Sequence, residues 1–263
     1  MMIKEVRIDN LPALAPIKHI PRITKDDYEK RIGSLLRLMS ERDFTHLVVY
    51  GDREHFSNLH FLTGYDPRFE ESVLILGKDQ EPVLLVGNEG FDYSRITPLK
   101  IKRELFQTFS LPGQPRNKSK SLDEILKSAG IMNKGKVGLI GWKYFTPIET
   151  GTPSQWIDLP HYLVAAVQSI AVEGQVENAT DLMIHPGYGL RVRLDAKELV
   201  LQEVASARMA AKVADAIRGL RPGISEAEAA ANLLLGGEPL CMHPIVSFGA
   251  ENVLLGLASP SRD

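Results

Sequence analysis

Apolar residues fall at helical spacing along the segment that opens at Thr24, where Tyr28, Ile32, Leu35, Leu36 and Met39 mark one buried face. Thr24 offers a capping hydroxyl and Asp27 sits in the first turn, so the pattern predicts a helix starting there. The period then changes. Residues 44–50 (FTHLVVY) form a β-branched and aromatic run of strand length, and Ser72 to Leu76 and Pro82 to Val86 read as two further strands joined by a hairpin connection, Gly77 to Gln80. Asn88 to Ile96 suits a short helix and Leu105 to Ser110 another strand. Ser121 and Glu124 form a capping box ahead of Ile125, Leu126 and Ala129, with Gly130 as the C-terminal cap. Val137 to Trp142 reads as a buried strand and Leu159 to Ile170 as a helix.

Residues 20 to about 185 thus alternate helices with short strands, the α/β pattern of a sheet covered by helices. Turn formers cluster around His185, Pro186, Gly187, Tyr188 and Gly189, and from Asp195 the chain becomes an alanine-rich helix with Val200, Val204, Ala207, Ala211, Ala214 and Ile217 along one face. The linker is expected over residues 184–194, dividing the chain into domains 1–188 and 189–263. A second helix starts at Ser225, capped reciprocally with Glu228. The chain then passes through His243 to Gly249 and an apolar strand to Ser259, Pro260, Ser261, Arg262 and Asp263, which read as a turn between strands. The expectation is a complete first domain joined to the opening of an incomplete second one.

The formal charge of -2, from 31 basic and 33 acidic residues spread along the chain, gives no electrostatic footprint for nucleic acid or an anionic membrane. No apolar run approaches the ~18 residues of a membrane helix. Cys241, the one cysteine, excludes an internal disulfide and suits a reducing compartment. These features together read as a cytoplasmic protein acting on a small or near-neutral partner.

The common catalytic fingerprints are absent: no phosphate loop, dinucleotide glycine fingerprint, HExxH helix or nucleophile elbow is present. His55 and His60 stand five apart, which rotates the two imidazoles off one helix face, so they read as surface or capping histidines. Cys241 with His243 reads as a packed cysteine beside a turn histidine. Ser57 to Tyr65 (SNLHFLTGY) is a short apolar turn or helix ended by Gly64, and Asp66, Pro67, Arg68 and Phe69 follow as a loop. Packing accounts for such a segment, and a loop combining Tyr65, Asp66, Arg68 and Phe69 also suits the wall of a cleft.

Ser57 to Tyr65 resembles the SN-x-x-YLTG-aromatic signature of the N-terminal domain in the creatinase, prolidase and Xaa-Pro aminopeptidase family. Arg191 to Glu198, the alanine-rich helix, Leu220 to Glu228 (LRPGISEAE) and Pro244 to Gly249 (PIVSFG) are similar, in the same order, to the start of that family's pita-bread catalytic domain. The resemblance spans essentially the whole chain. It implies an α/β creatinase-type N-terminal domain, with a mixed sheet flanked by helices, followed by the first helices and strands of an incomplete α+β pita-bread domain.

The resemblance also implies a metallohydrolase acting on a small peptide or amide substrate, built as a homodimer or higher homo-oligomer. Two divalent metals, Mn, Co or Zn, would be held in a full-length member by two Asp, one His and two Glu, and a bridging hydroxide would attack the scissile carbonyl. All five ligand positions match beyond Asp263, so no metal ligand and no catalytic residue is assigned here. Tyr65, Asp66, Arg68, Phe69 and His243 are the residues expected near substrate. One departure is chemical: Leu257 stands in Gly256 to Pro260 where the family carries a proton-transferring histidine, and leucine neither donates nor accepts a proton. The N-terminal portion of such an enzyme, inactive by itself, is therefore set against a non-catalytic relative used for binding or assembly. A self-contained domain of this length would leave Val200, Val204, Ala211 and Ile217 partly uncovered, which invites association.

Overall fold

Leu47 and Val49 project to one side of a strand and Val48 and Tyr50 to the other, and all four are buried. Both faces of that strand are therefore covered, which is why its sequence is a continuous apolar run rather than an alternation. The computed structural model describes residues 19–234, 237, 240, 242–249 and 260. The strand is β1 (His46–Gly51), and the sheet also contains β2 (Ser72–Gly77), β3 (Val83–Val86), β4 (Lys102–Leu105), β5 (Lys136–Ile140) and β6 (Gln175–Asn178), in the order β4-β3-β2-β1-β5-β6. The pairs β1 with β2 and β2 with β3 are antiparallel, whereas β1 with β5, β5 with β6 and β3 with β4 are parallel.

The helices divide between the two faces. Residues of α1 (Lys25–Glu41), α2 (Ser57–Thr63) and α6 (Asp181–Ile184) pack with Leu47, Val49, Leu74 and Leu84 on one face. Those of α4 (Leu122–Ser128) and α5 (His161–Ile170) pack with Val48, Tyr50, Val73 and Leu139 on the other. Between β3 and β4 lies the one-turn α3 (Gly90–Tyr93), continued by a 3-10 turn at Ser94–Ile96. The capping signals act as expected: Asp27 accepts from the Thr24 amide at 2.7 Å and Glu124 from the Ser121 amide at 2.9 Å. Gly130 takes a φ of 91°, the left-handed turn that a helix-ending glycine supplies without steric cost.

Two expectations change. The strand placed at Leu105 to Ser110 lies earlier, because Lys102–Leu105 is the segment that pairs with β3, while Gln107–Phe109 is a 3-10 turn. Phe106 and Phe109, three apart, then face the same core and meet edge to face at 4.9 Å. β6 and α6 have no counterpart in the apolar pattern. The first compact unit is residues 23–194. It runs past the expected boundary at 188, since Leu190 packs on the first core and Arg191 bonds into it.

The described residues from 195 onward, with residues 19–22, form the second unit. It contains α7 (Ala196–Gly219) and α8 (Glu226–Ala231), opened by the capping pairs Asp195 with Glu198 and Ser225 with Glu228. Val204 is buried and Ile217 is 40% exposed. Glu226, itself buried, accepts the Phe248 amide at 2.6 Å and so fastens residues 243–248 to the start of α8. Cys241, Leu257 with Gly256, Ala258 and Ser259, and the apolar strand expected before Ser259 lie outside the described residues. No helix among the described residues is long and apolar enough to cross a membrane.

Candidate functional site

The signature segment is an architectural joint. Asn58, buried at the start of α2, donates from Nδ2 to the Gly141 carbonyl at 2.6 Å and accepts at Oδ1 from Arg191 Nη1 at 2.8 Å. Thr63 donates to the Leu59 carbonyl at 2.8 Å and accepts the Tyr65 amide at 3.1 Å. Gly64 ends the helix with a φ of 71°, and a β-carbon there would meet the Tyr28 hydroxyl at 2.7 Å. These side chains are consumed in holding α2 between α1 and the end of β5.

The turn after Gly64 sends the chain back into the core before it emerges. Tyr65 is 0% exposed and packs among the residues of the first core, so it forms no part of a cleft wall. Its hydroxyl is buried without a hydrogen-bond partner, and burial, with the Glu70 charge next, raises its ionisation well above the ordinary value. Asp66 accepts the Arg68 amide at 2.7 Å and lies 3.8 Å from its guanidinium, with Arg68 in the left-handed region at φ 63°. Phe69 is 50% exposed. Asp66, Arg68 and Phe69 therefore form a surface turn standing on Tyr65. His243 is exposed and belongs to the second unit.

Sequence reasoning missed a second cluster, at the carboxyl ends of the parallel pair β1 and β5. The chain leaves β1 toward α2 on one face and leaves β5 toward α5 on the other, the strand arrangement at which open α/β sheets leave a crevice. Asp52 accepts the Glu54 and His55 amides at 2.8 and 2.7 Å and faces His55 Nδ1 at 3.1 Å. Burial opposes ionisation of this carboxyl, but the two amides and His55 outweigh it and hold it below the usual carboxylate range. The His55 ring stacks on Trp142 at 4.2 Å, and its Nε2 has no partner among the described residues. An imidazole oriented through Nδ1 with Nε2 open can accept or deliver a proton. The sequence signal was weak because Trp142 is brought to His55 only by strand pairing.

Among the described residues no three His, Cys, Asp or Glu side chains converge so as to hold a metal ion. The pair of divalent metals implied by the resemblance thus finds no ligand set there, and no step of chemistry through a metal is derived for these residues.

No protein-family model and no curated protein matches the chain. Solved structures do. A prolidase from Thermococcus sibiricus is similar at 17% identity and TM-score 0.57, over 79% of this chain and 48% of that one. The prolidase from Pyrococcus horikoshii gives 15% and 0.55, over 78% and 47%. The Xaa-Pro dipeptidase from Bacillus anthracis gives 14% and 0.53, over 78% and 47%. The chain spans about half the length of these proteins. At such identities the likeness is one of fold: the chain has the mixed α/β architecture seen in the corresponding part of solved prolidases and Xaa-Pro dipeptidases.

Proposed function

We propose that this chain supplies the N-terminal part of a Xaa-Pro dipeptidase-like metallohydrolase. The observation that carries the reading is the shared fold over 78% of the chain with a solved prolidase, joined to a signature segment, Ser57 to Tyr65, whose polar groups hold α2 in place. The two divalent metals and their ligands would then lie in a part of the protein that these residues do not provide, and the chain alone would not hydrolyse peptides. Asp66, Arg68 and Phe69 on their surface turn are the groups of the first unit that would lie near a small peptide or amide substrate; His243, in the second unit, is a separate candidate for substrate proximity. Tyr65 would support that turn from below. A homodimer or larger homo-oligomer belongs to the same reading, and light scattering on the purified protein tests it.

Leu257 favours a second reading, a relative that kept the scaffold for binding or assembly after losing the histidine that serves proton transfer. One experiment separates the two. The longest reading frame containing this chain is expressed beside residues 1–263, and metal content and Xaa-Pro dipeptide hydrolysis are measured on both. Metal and hydrolysis in the longer protein alone support the metallohydrolase; neither in either protein leaves the binding scaffold.

A further inference from the structure

The connection between β5 and α5 runs from residue 141 to 160 with only one 3-10 turn, Pro153–Gln155, inside it. Connections longer than about 15 residues that form little structure of their own are uncommon in compact domains, where they serve either as functional loops or as linkers. This one lines a cleft of about 250 Å³ through Tyr144, Phe145, Pro147 and Pro153, and His185 and Tyr188 line it as well.

The cleft is built from aromatic surface that the core does not use. His185 and Tyr188 stack face to face at 4.0 Å and 13°, Tyr144 is tilted against His185 at 5.6 Å, and Phe145 meets Trp156 edge to face at 5.3 Å. Tyr188 is nevertheless 46% exposed and Trp156 48%. The rings are held in place. The Tyr188 hydroxyl donates to Asp181 at 2.5 Å, and Arg42 reaches the same carboxylate oxygen at 2.8 Å. The Gly187 amide donates to His185 Nδ1 at 3.1 Å, which leaves the ring proton on Nε2 as a donor.

Two features select the ligand. The charges in the lining, Arg42 and Asp181, neutralise one another, so the cleft favours neither a cation nor an anion. With Arg42 bonded to Asp181, the Asn178 amide to two backbone carbonyls and the Thr146 hydroxyl to Glu149, what remains is aromatic and prolyl surface with the His185 N–H and the Ser154 hydroxyl as donors. That is the chemistry by which aromatic-lined grooves take extended proline-rich segments: ring faces hold the pyrrolidines and a donor meets a backbone carbonyl. We propose that this cleft binds a prolyl segment in polyproline II conformation, through Tyr144, Phe145 and Tyr188 with His185 as the donor. Binding there needs neither metal nor hydrolysis, and so stands or falls apart from the enzymatic reading.

The probe is a deca-proline peptide added to the 263-residue chain carrying Trp142→Phe, so that Trp156 beside Phe145 is the one reporter left. A saturable change in Trp156 emission is expected, with no such change for a glycine-serine decapeptide. Phe145→Leu and Tyr188→Leu should each weaken binding about fivefold or more, and His185→Phe, which keeps a ring to stack but removes the donor, several-fold. Circular dichroism confirms that each variant is folded. An equal response to the glycine-serine peptide, no saturable response, or unchanged affinity in the folded variants overturns the assignment. Saturation by tetramethylammonium with no response to deca-proline would overturn it as well, in favour of a cation cage.

Discussion

Arg191 and Asn58 meet through a 2.8 Å hydrogen bond, although 133 positions separate them in the chain. The same asparagine bonds the Gly141 carbonyl at 2.6 Å, so one buried amide ties the end of β5, the start of α2 and the last turn of the sheet unit together. Asn58→Ala removes both bonds and leaves the buried Gly141 carbonyl without its side-chain donor. The expected loss is about 2–3 kcal/mol of unfolding free energy, read as a lower urea midpoint. Asn58→Asp keeps an acceptor for Arg191 but turns an oxygen toward the Gly141 carbonyl where the amide donated, so it too should lower the midpoint. Equal midpoints for all three proteins would show that the joint contributes nothing.

Tyr65 and Gly90 make a sharper test of packing. A β-carbon on Gly90 would fall within clash distance of the Tyr65 hydroxyl, while the next nearest atom, of Glu70, stands at 3.2 Å. Gly90→Ala should therefore cost about 1–3 kcal/mol. Tyr65→Phe removes an unpartnered buried hydroxyl and should be neutral or slightly stabilising. In the double variant the obstacle is gone, so the cycle should show a favourable coupling of about 1–2 kcal/mol. Additive effects would place the cost of Gly90→Ala elsewhere.

The elements that the apolar pattern revealed are those buried on two sides or striped on one. β1, β2, β3 and β5 are central or double-faced, so Leu47 to Tyr50 and Val73 to Leu76 had to be apolar throughout. The two edges of the sheet are where the pattern failed. β4 (Lys102–Leu105) and β6 (Gln175–Asn178) each have one partner strand and carry charged residues, Lys102, Arg103, Glu104 and Glu177, so no apolar run marks them. The site obeyed a different logic. Asp66, Arg68 and Phe69 lie at the surface as a polar turn should, but nothing in the order of residues tells that Tyr65 turns inward. His55 owes its setting to Trp142, a contact made by the parallel pairing of β1 with β5.

His46 supplies a dependence on acid. It is almost fully buried at the start of β1, with Nδ1 3.2 Å from the Thr45 hydroxyl and with the Gln80 side chain and the Ala129 backbone beside the ring, whose contacts offset burial only in part. Burial pushes the imidazole below its ordinary value of 6.5, so between the folded and unfolded values the unfolded chain binds the extra proton. Stability is fully present above about pH 6.5 and is lost as pH falls through the folded value. Urea midpoints from about pH 7.5 down to about pH 5 should decline, and His46→Gln should flatten part of that decline. An identical slope in the variant would assign the dependence to other groups.

Glu71 gives the opposite dependence at the alkaline end. Its Oε1 accepts from the Tyr50 hydroxyl at 2.7 Å and from the Tyr162 hydroxyl at 3.0 Å, so one carboxylate joins the end of β1 to α5. Burial first, and then the bond to Glu71, drive Tyr50 far above the ordinary tyrosine value, and burial with the Glu71 charge does the same to Tyr162. Tyr188 is pushed up to about 12, by burial ahead of its bond to Asp181. For a phenol with a raised folded value, the folded state retains protons that the unfolded state gives up. The contribution is therefore complete below about pH 10 and is lost as pH rises above it. Tyrosinate absorbance should show part of the 7 tyrosines titrating only as the chain unfolds. Tyr50→Phe should cost about 1–2 kcal/mol at neutral pH, because Glu71 keeps only Tyr162. The same variant should also lose less of its remaining stability above pH 10 than wild type does, and parallel alkaline curves for the two proteins would remove Tyr50 from this account.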